Sequence, residues 1–167
     1  KAISERYNKY KQSSLLVELG ANYQLQKDDS KAKKYFEQAL DKIIKNPSEV
    51  YGIAAVFERK VLIEYALQAY QIALEIDPNM NFNFQMAVLY GQNGQTDKMI
   101  EKFLEETEGL DVEPFLVNTN NQERIDFVID ALKAARPEYK EINVYPLTPV
   151  VGAHAGPGTV GIGYIKK

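Results

Sequence analysis

The sequence predicts a mainly α chain: a helical-hairpin array of about three repeats over residues 1–111, then a small α/β segment over residues 112–167. Three observations predict it. Side-chain types recur about every 34 residues between Ser13 and Leu110. The first two thirds are rich in Lys, Glu, Gln, Leu and Ala, residues that give up little on entering a helix. The last third ends in YPLTPVVGAHAGPGTVGIGYI, where Gly152 to Gly163 holds five of the ten glycines.

The recurrence comes first. In a frame starting at Ser13 stand Leu19, Gly20, Tyr23, Ala32, Phe36 and Ala39. A second frame, 34 residues later at Pro47, places Ile53, Ala54, Phe57, Ala66, Tyr70 and Ala73 at the same positions. A third, near Met80, gives Met86, Ala87, Tyr90, Gly94, Met99 and Phe103. Small residues at Gly20, Ala54 and Ala87 allow two helices to approach closely, and the aromatics fill the space between them. Such a pair cannot bury its apolar face alone, so neighbouring pairs must stack.

The breaks between helices fit the same frame. Gln26-Lys27-Asp28-Asp29 separates the first two helices, with Asp29 or Ser30 able to cap the second. Asn46-Pro47-Ser48 and Asp77-Pro78-Asn79 end one copy and begin the next, because proline disfavours helix in the residue before it. The third copy turns at Gly91-Gln-Asn-Gly94. The second has no turn cluster in ERKVLIEY, which predicts a longer or bent helix there. The acidic stretch 97–113 reads as a solvated helix face and its exit. It lacks the spacing of a calcium loop.

This 34-residue pattern resembles the tetratricopeptide repeat family. The resemblance implies a superhelix whose concave face, lined by the first helix of each pair, holds an extended or helical peptide. The groove positions fall on Val17, Ala21 and Gln24, then Tyr51, Ala55 and Glu58, then Phe84 and Val88. Some members clamp a peptide's terminal carboxylate there with Lys and Asn. No lysine stands at these positions, so that clamp is absent. Tyr51 and Phe84 are the candidate anchors, since aromatic residues dominate binding hot spots. Coverage of both by residues 1–12 or by the C-terminal segment is the alternative.

The C-terminal third has a different texture. PFLVN, at 114–118, reads as a short buried strand. Asn121 to Ala135 reads as a helix, because Ile125, Val128, Ile129 and Leu132 recur at helical spacing. Glu141 to Leu147 alternates as a strand does, and Val150-Val151 and Val160–Ile165 bracket the loop GAHAGPGT.

That ending resembles the C-terminus of the DegV family of bacterial fatty-acid-binding proteins, in Gly152, His154, Gly156, Pro157, Gly158 and Gly161 over roughly residues 112–167. The resemblance implies that His154 lies near the carboxylate of a bound fatty acid, with Gly156 and Gly158 letting backbone approach the anion. An imidazole can donate to a carboxylate oxygen, and glycines let backbone N–H groups turn toward it. A complete member also has an N-terminal α/β domain that shares the carboxylate and encloses the acyl chain. Here helical text stands in that place, which leaves open a missing partner, a structural remnant or a fusion. Read without the family, His154 is a loop histidine satisfied by a carbonyl, and Gly156-Pro157-Gly158 is a tight turn.

Composition narrows the functions. The chain has no cysteine and one histidine, so thiolate zinc sites, cysteine nucleophiles and multi-histidine metal centres cannot be built within it. The net charge of −3 gives no electrostatic footprint for nucleic acid. No apolar run approaches the roughly 18–20 residues of a membrane span. KAISERYNKYKQ lacks both a signal core and an initiating Met, which predicts a processed or trimmed start. The first expectation is therefore a non-catalytic scaffold, without cofactor or metal, that holds a protein or peptide partner in the groove. The alternative is a fatty-acid-binding fragment using the GAHAGPG loop. A cytoplasmic location is the default.

Overall fold

Helical hairpins followed by a three-stranded sheet make up the fold. The computed structural model describes residues 12–147 and 157–167. The expected Val150-Val151 strand, His154 and Gly156 lie outside the described residues. Among those described, seven α-helices precede or interrupt three strands. The chain divides into two compact units, one ending at Asn81 and one beginning at Phe82.

In the first unit α1 (Ser14–Leu25) pairs with α2 (Asp29–Lys45), and α3 (Val50–Arg59) with α4 (Ile63–Ile76). The first pair touches the second through α1 with α3 and α2 with α4. The recurrent positions are the core: Phe36, Ala39, Ile53, Ala54, Phe57, Ala66, Tyr70 and Ala73 are buried. Gly20 is required where it stands, because a Cβ there would run into the Phe36 ring. Phe36, Phe57 and Tyr65 form one aromatic cluster, with Phe57 and Tyr65 stacked at 5.4 Å. Asp28, one residue before the expected cap, accepts a bond from the Lys31 N–H at 3.1 Å and starts α2. Asn46 does the same for Ser48 ahead of a short 3₁₀ turn, Pro47–Glu49.

The second pair corrects the sequence reading. ERKVLIEY forms two helices, not one long or bent helix. Val61 takes the left-handed conformation between them, at φ 58°. Lys27 and Gly94 stand in the same place in the other two hairpins, at φ 59° and 76°. Each turn is closed alike: Asp28, Leu62 and Gln95 donate their N–H to the carbonyls of Tyr23, Phe57 and Tyr90 at 2.9–3.0 Å. This is the left-handed C-terminal cap that glycine usually serves. The recurrence thus extends to backbone geometry, and Val61 meets it without the usual residue.

The second unit opens with the hairpin α5 (Asn83–Gln92) and α6 (Thr96–Glu106). Met86, Ala87, Tyr90, Met99 and Phe103 are its buried positions. Strand β1 (Val112–Asn118) follows, then α7 (Gln122–Ala135), β2 (Asn143–Pro146) and β3 (Val160–Lys166). The sheet order is β2-β1-β3, with β1 parallel to β2 and antiparallel to β3. The β1-α7-β2 segment is therefore a parallel crossover through a helix. One sheet face carries Leu116 and Ile162, both buried, and Tyr164, which meets Phe84 of α5 and Phe103 of α6 edge-on. On the other face Phe115 lies over Gly163, and Val117 over Gly161.

Gly91 has a role that its place in a hairpin does not announce. A Cβ there would sit 2.6 Å from the Val160 carbonyl oxygen. The bare helix surface lets the start of β3 lie directly on α5. Arg136, at the end of α7, then donates to the Thr107 and Leu104 carbonyls at 2.7 and 3.0 Å. These are carbonyls that the end of α6 leaves without helical partners, and a cation there also meets the negative end of the helix dipole.

Candidate functional site

The loop between β2 and β3 is held at both described ends by the carboxyl end of β1. On the entry side, the Leu147 N–H donates to the Asn118 carbonyl at 2.8 Å. On the exit side, the Gly158 N–H donates to the Thr119 carbonyl at 3.1 Å, and the Thr159 N–H to Thr119 Oγ1 at 2.8 Å. The Thr119 N–H returns a bond to the Thr159 carbonyl at 2.9 Å. Gly158 sits at φ 75°, where a side chain would be strained. Both described ends of the loop therefore meet the corner where β1 gives way to α7.

Asn121 builds that corner. Its Oδ1 accepts from the Arg124 N–H at 3.1 Å and caps α7, while its Nδ2 donates to the Gly158 carbonyl at 3.2 Å. One turn along, the Arg124 side chain reaches the same carbonyl through Nη1 at 3.3 Å. Its Nη2 donates to the Gly91 carbonyl at 3.1 Å, and its Nε to Thr96 Oγ1. Burial lowers the guanidinium from its ordinary value; arginine stays protonated under protein conditions regardless. Beside it runs an open groove of about 450 Å³ lined by Thr96, Asp97, Asn121, Glu123, Arg124 and Phe127.

The position is chemically apt. In open α/β sheets ligands bind outside the carboxyl ends of the strands, and helix N-termini there favour anions. Of the loop residues singled out from the sequence, Gly158 is at this corner. His154 and Gly156 lie outside the described residues. The sequence marks Asn121 only as a helix start and Thr159 only as a loop end, and gives no sign of Thr119 or Arg124. Asn121 could have been found, since an Asn directly before an apolar helical pattern is a capping signal. Arg124 could not, because its acceptors are 28 to 34 residues distant in the chain.

The expected groove residues do not form one surface of equal access. Val17 is wholly buried and Ala21 is 8% exposed, because both face the helical core of the first unit; neither is open to a partner. Gln24, Tyr51, Ala55 and Glu58 are exposed. Glu58 is already engaged, accepting from the Tyr70 hydroxyl at 2.6 Å. Phe84 is partly covered by Tyr164, and Val88 is half-buried.

The second unit is thus a helical hairpin and a small sheet with a parallel helical crossover, whose β2–β3 loop has both described ends tied to the end of β1. The family model described as "Uncharacterised protein, DegV family" matches residues 72–167. That is more than half of the chain, and the chain belongs to the DegV family. The match begins at residue 72, ahead of the 112–167 that carry the sequence resemblance, and takes in the hairpin of α5 and α6. It supports the DegV part of the sequence expectation and lends the tetratricopeptide part nothing. No curated protein matches the chain. Among the described residues no helix is long and apolar enough to cross a membrane.

Proposed function

We propose that the chain is a non-catalytic carboxylate-binding protein of the DegV type, taking a fatty acid by its head group at the GAHAGPG loop. The observation that carries this reading is the anchoring of both described loop ends at the carboxyl end of β1, within a chain of that family. His154 donates to a ligand oxygen, and the glycines let the backbone come close. The acyl chain calls for further apolar walls, which this reading does not assign to particular residues.

Native mass spectrometry tests the proposal. The purified chain should carry acyl adducts, or take up a long-chain fatty acid on addition, and His154→Ala should lose them with folding unchanged. A wild-type chain that stays at its apo mass in excess fatty acid would refute it.

A second reading, a partner-binding surface on the first unit, is favoured by two exposed apolar side chains: Tyr51 is 63% and Leu25 83% exposed. It predicts that Tyr51→Ala abolishes capture of a protein partner that the wild-type chain retains. Capture unaffected by the change would remove this reading.

A further inference from the structure

We infer that the open face of the sheet is a docking surface for an amphipathic helix of a partner protein, laid along the strands with a basic residue over Glu113. The inference is independent of the carboxylate-binding reading above.

One face of the sheet turns inward at Leu116, Ile162 and Tyr164, where Tyr164 meets Phe84 and Phe103. The strand register puts Glu113, Phe115, Val117, Tyr145 and Ile165 on the other face, together with Gly161 and Gly163. Only strand neighbours lie close above the two glycines. A Cβ added at Gly161 would meet Val117 alone, and one at Gly163 would run into the Phe115 ring. Tyr145 is 51% and Ile165 62% exposed. Between them, against Phe115 and Pro114, lies an apolar hollow of about 230 Å³. Parallel strands joined by a helical crossover ordinarily have both faces covered, and no described element covers this one.

Size selects the occupant. Strands β1 and β3 have seven residues each and β2 four, so the face is about 23 Å long and about 14 Å wide, a footprint of roughly 300 Å². A stable dimer buries about 800 Å² on each partner, so a second copy seated on this face alone falls well short. One helix, about 10 Å across and about four turns long, matches both dimensions. Apolar side chains one turn apart on such a helix meet Phe115, Tyr145 and Ile165 in turn.

Charge sets its direction. Glu113 lies opposite Ile165 and lines both the apolar hollow and a second one, of about 370 Å³, bounded by Glu138, Lys140, Glu141 and Lys167. Its three carboxylates outnumber its two ammonium groups, and Glu113, Glu138 and Glu141 make no ion pair among the described residues. The other end of the face, at Val117, Tyr145 and Gly161, bears no charge. A helix with its basic residue at the Glu113 end is therefore favoured over the reverse orientation.

The test titrates the full chain with a designed helical peptide of about 15 residues, bearing one leucine stripe and lysines at one end, and follows backbone amides by NMR. A scrambled peptide and one with glutamates for the lysines are the controls. The leucine-stripe peptide should shift Gly161 and Gly163 and leave Leu116 in place. Ile165→Glu should weaken it about tenfold or more, as loss of a central apolar contact does. Tyr145→Ser should act in the same direction and decides the matter if Ile165→Glu disturbs the sheet. Glu113→Gln should weaken the lysine peptide about threefold, as a rim charge does, and spare the glutamate peptide. Amides of Gly161 and Gly163 unmoved by excess peptide, or equal binding of the scrambled peptide, would overturn the inference. So would a dimer that forms without peptide and is lost in Ile165→Glu, which gives the face to a second copy. Displacement of the peptide by a long-chain fatty acid that shifts the same two amides would give it to an acyl chain instead.

Discussion

Gly91→Ala and Gly52→Ala are the same chemical change in two helices, and the structure gives them opposite signs. Replacing an interior helical glycine by alanine gains about 0.8–1 kcal/mol where nothing interferes. Gly52 is such a place: it is exposed, and the nearest atom to an added Cβ is Ser14 Cβ at 3.9 Å. At Gly91 the added Cβ would lie 2.6 Å from the Val160 carbonyl oxygen and 2.9 Å from Met99 Sδ. Met99 can swing aside; the backbone carbonyl cannot without shifting the start of β3. Overpacking of this kind costs about 1–3 kcal/mol, so after the helix gain the net loss is about 0–2 kcal/mol. At about 2–4 °C per kcal/mol for a chain of this size, Gly91→Ala should lower the calorimetric midpoint by up to about 8 °C, and Gly52→Ala should raise it by about 2–4 °C. A Gly91→Ala chain that is stabilised like Gly52→Ala would show that β3 does not lie on α5, and the second unit as described would be wrong.

Val61→Gly removes a left-handed β-branched residue whose strain is about 1–2 kcal/mol, against about 0.5–1 kcal/mol of added chain freedom. A net gain of roughly 0.5–1 kcal/mol in urea denaturation is expected. Arg136→Ala takes the Arg136 donor from the Leu104 carbonyl and leaves the Thr107 carbonyl with only the Leu110 N–H, and should lose about 1–3 kcal/mol in the same assay, with Arg136→Lys recovering only part. Burial, then the bond to Glu58, raises the Tyr70 hydroxyl, and burial, then Glu106, raises that of Tyr164. An acid whose folded value is raised holds its proton longer than in the unfolded chain. Its stabilisation is thus complete below about pH 10 and declines as pH rises beyond it. The alkaline decline in stability should be shallower in Tyr70→Phe and in Tyr164→Phe than in the wild-type chain.

The helical hairpins were legible because their signal is local. Small and aromatic residues recur from one hairpin to the next, and all of those positions except Tyr23 and Gly94 are buried in the structure. The crossover was legible too. The helix expected over Asn121 to Ala135 is α7 with Asn121 as its cap, and the strand expected over Glu141–Leu147 is β2. Its side chains are exposed, so alternation there marked an edge strand rather than core.

What escaped depends on contacts distant in sequence. Gly91 reads as a hairpin residue until Val160 is seen above it. For that reason the text of α5 and α6 fits a third helical copy, yet the hairpin shares a compact unit with the sheet. Val61 gave no signal, because a valine does not advertise a left-handed turn. Arg124 looked like any charged residue near a helix start, and only the folded chain brings its three acceptors to it.

Carbon-13 NMR of a carboxyl-labelled long-chain fatty acid, titrated with the chain, tests the central claim most directly. The account predicts a bound carboxyl resonance distinct from that of the free acid, present at one equivalent and lost in His154→Ala. A spectrum holding only the free resonance, with protein in excess, would contradict it.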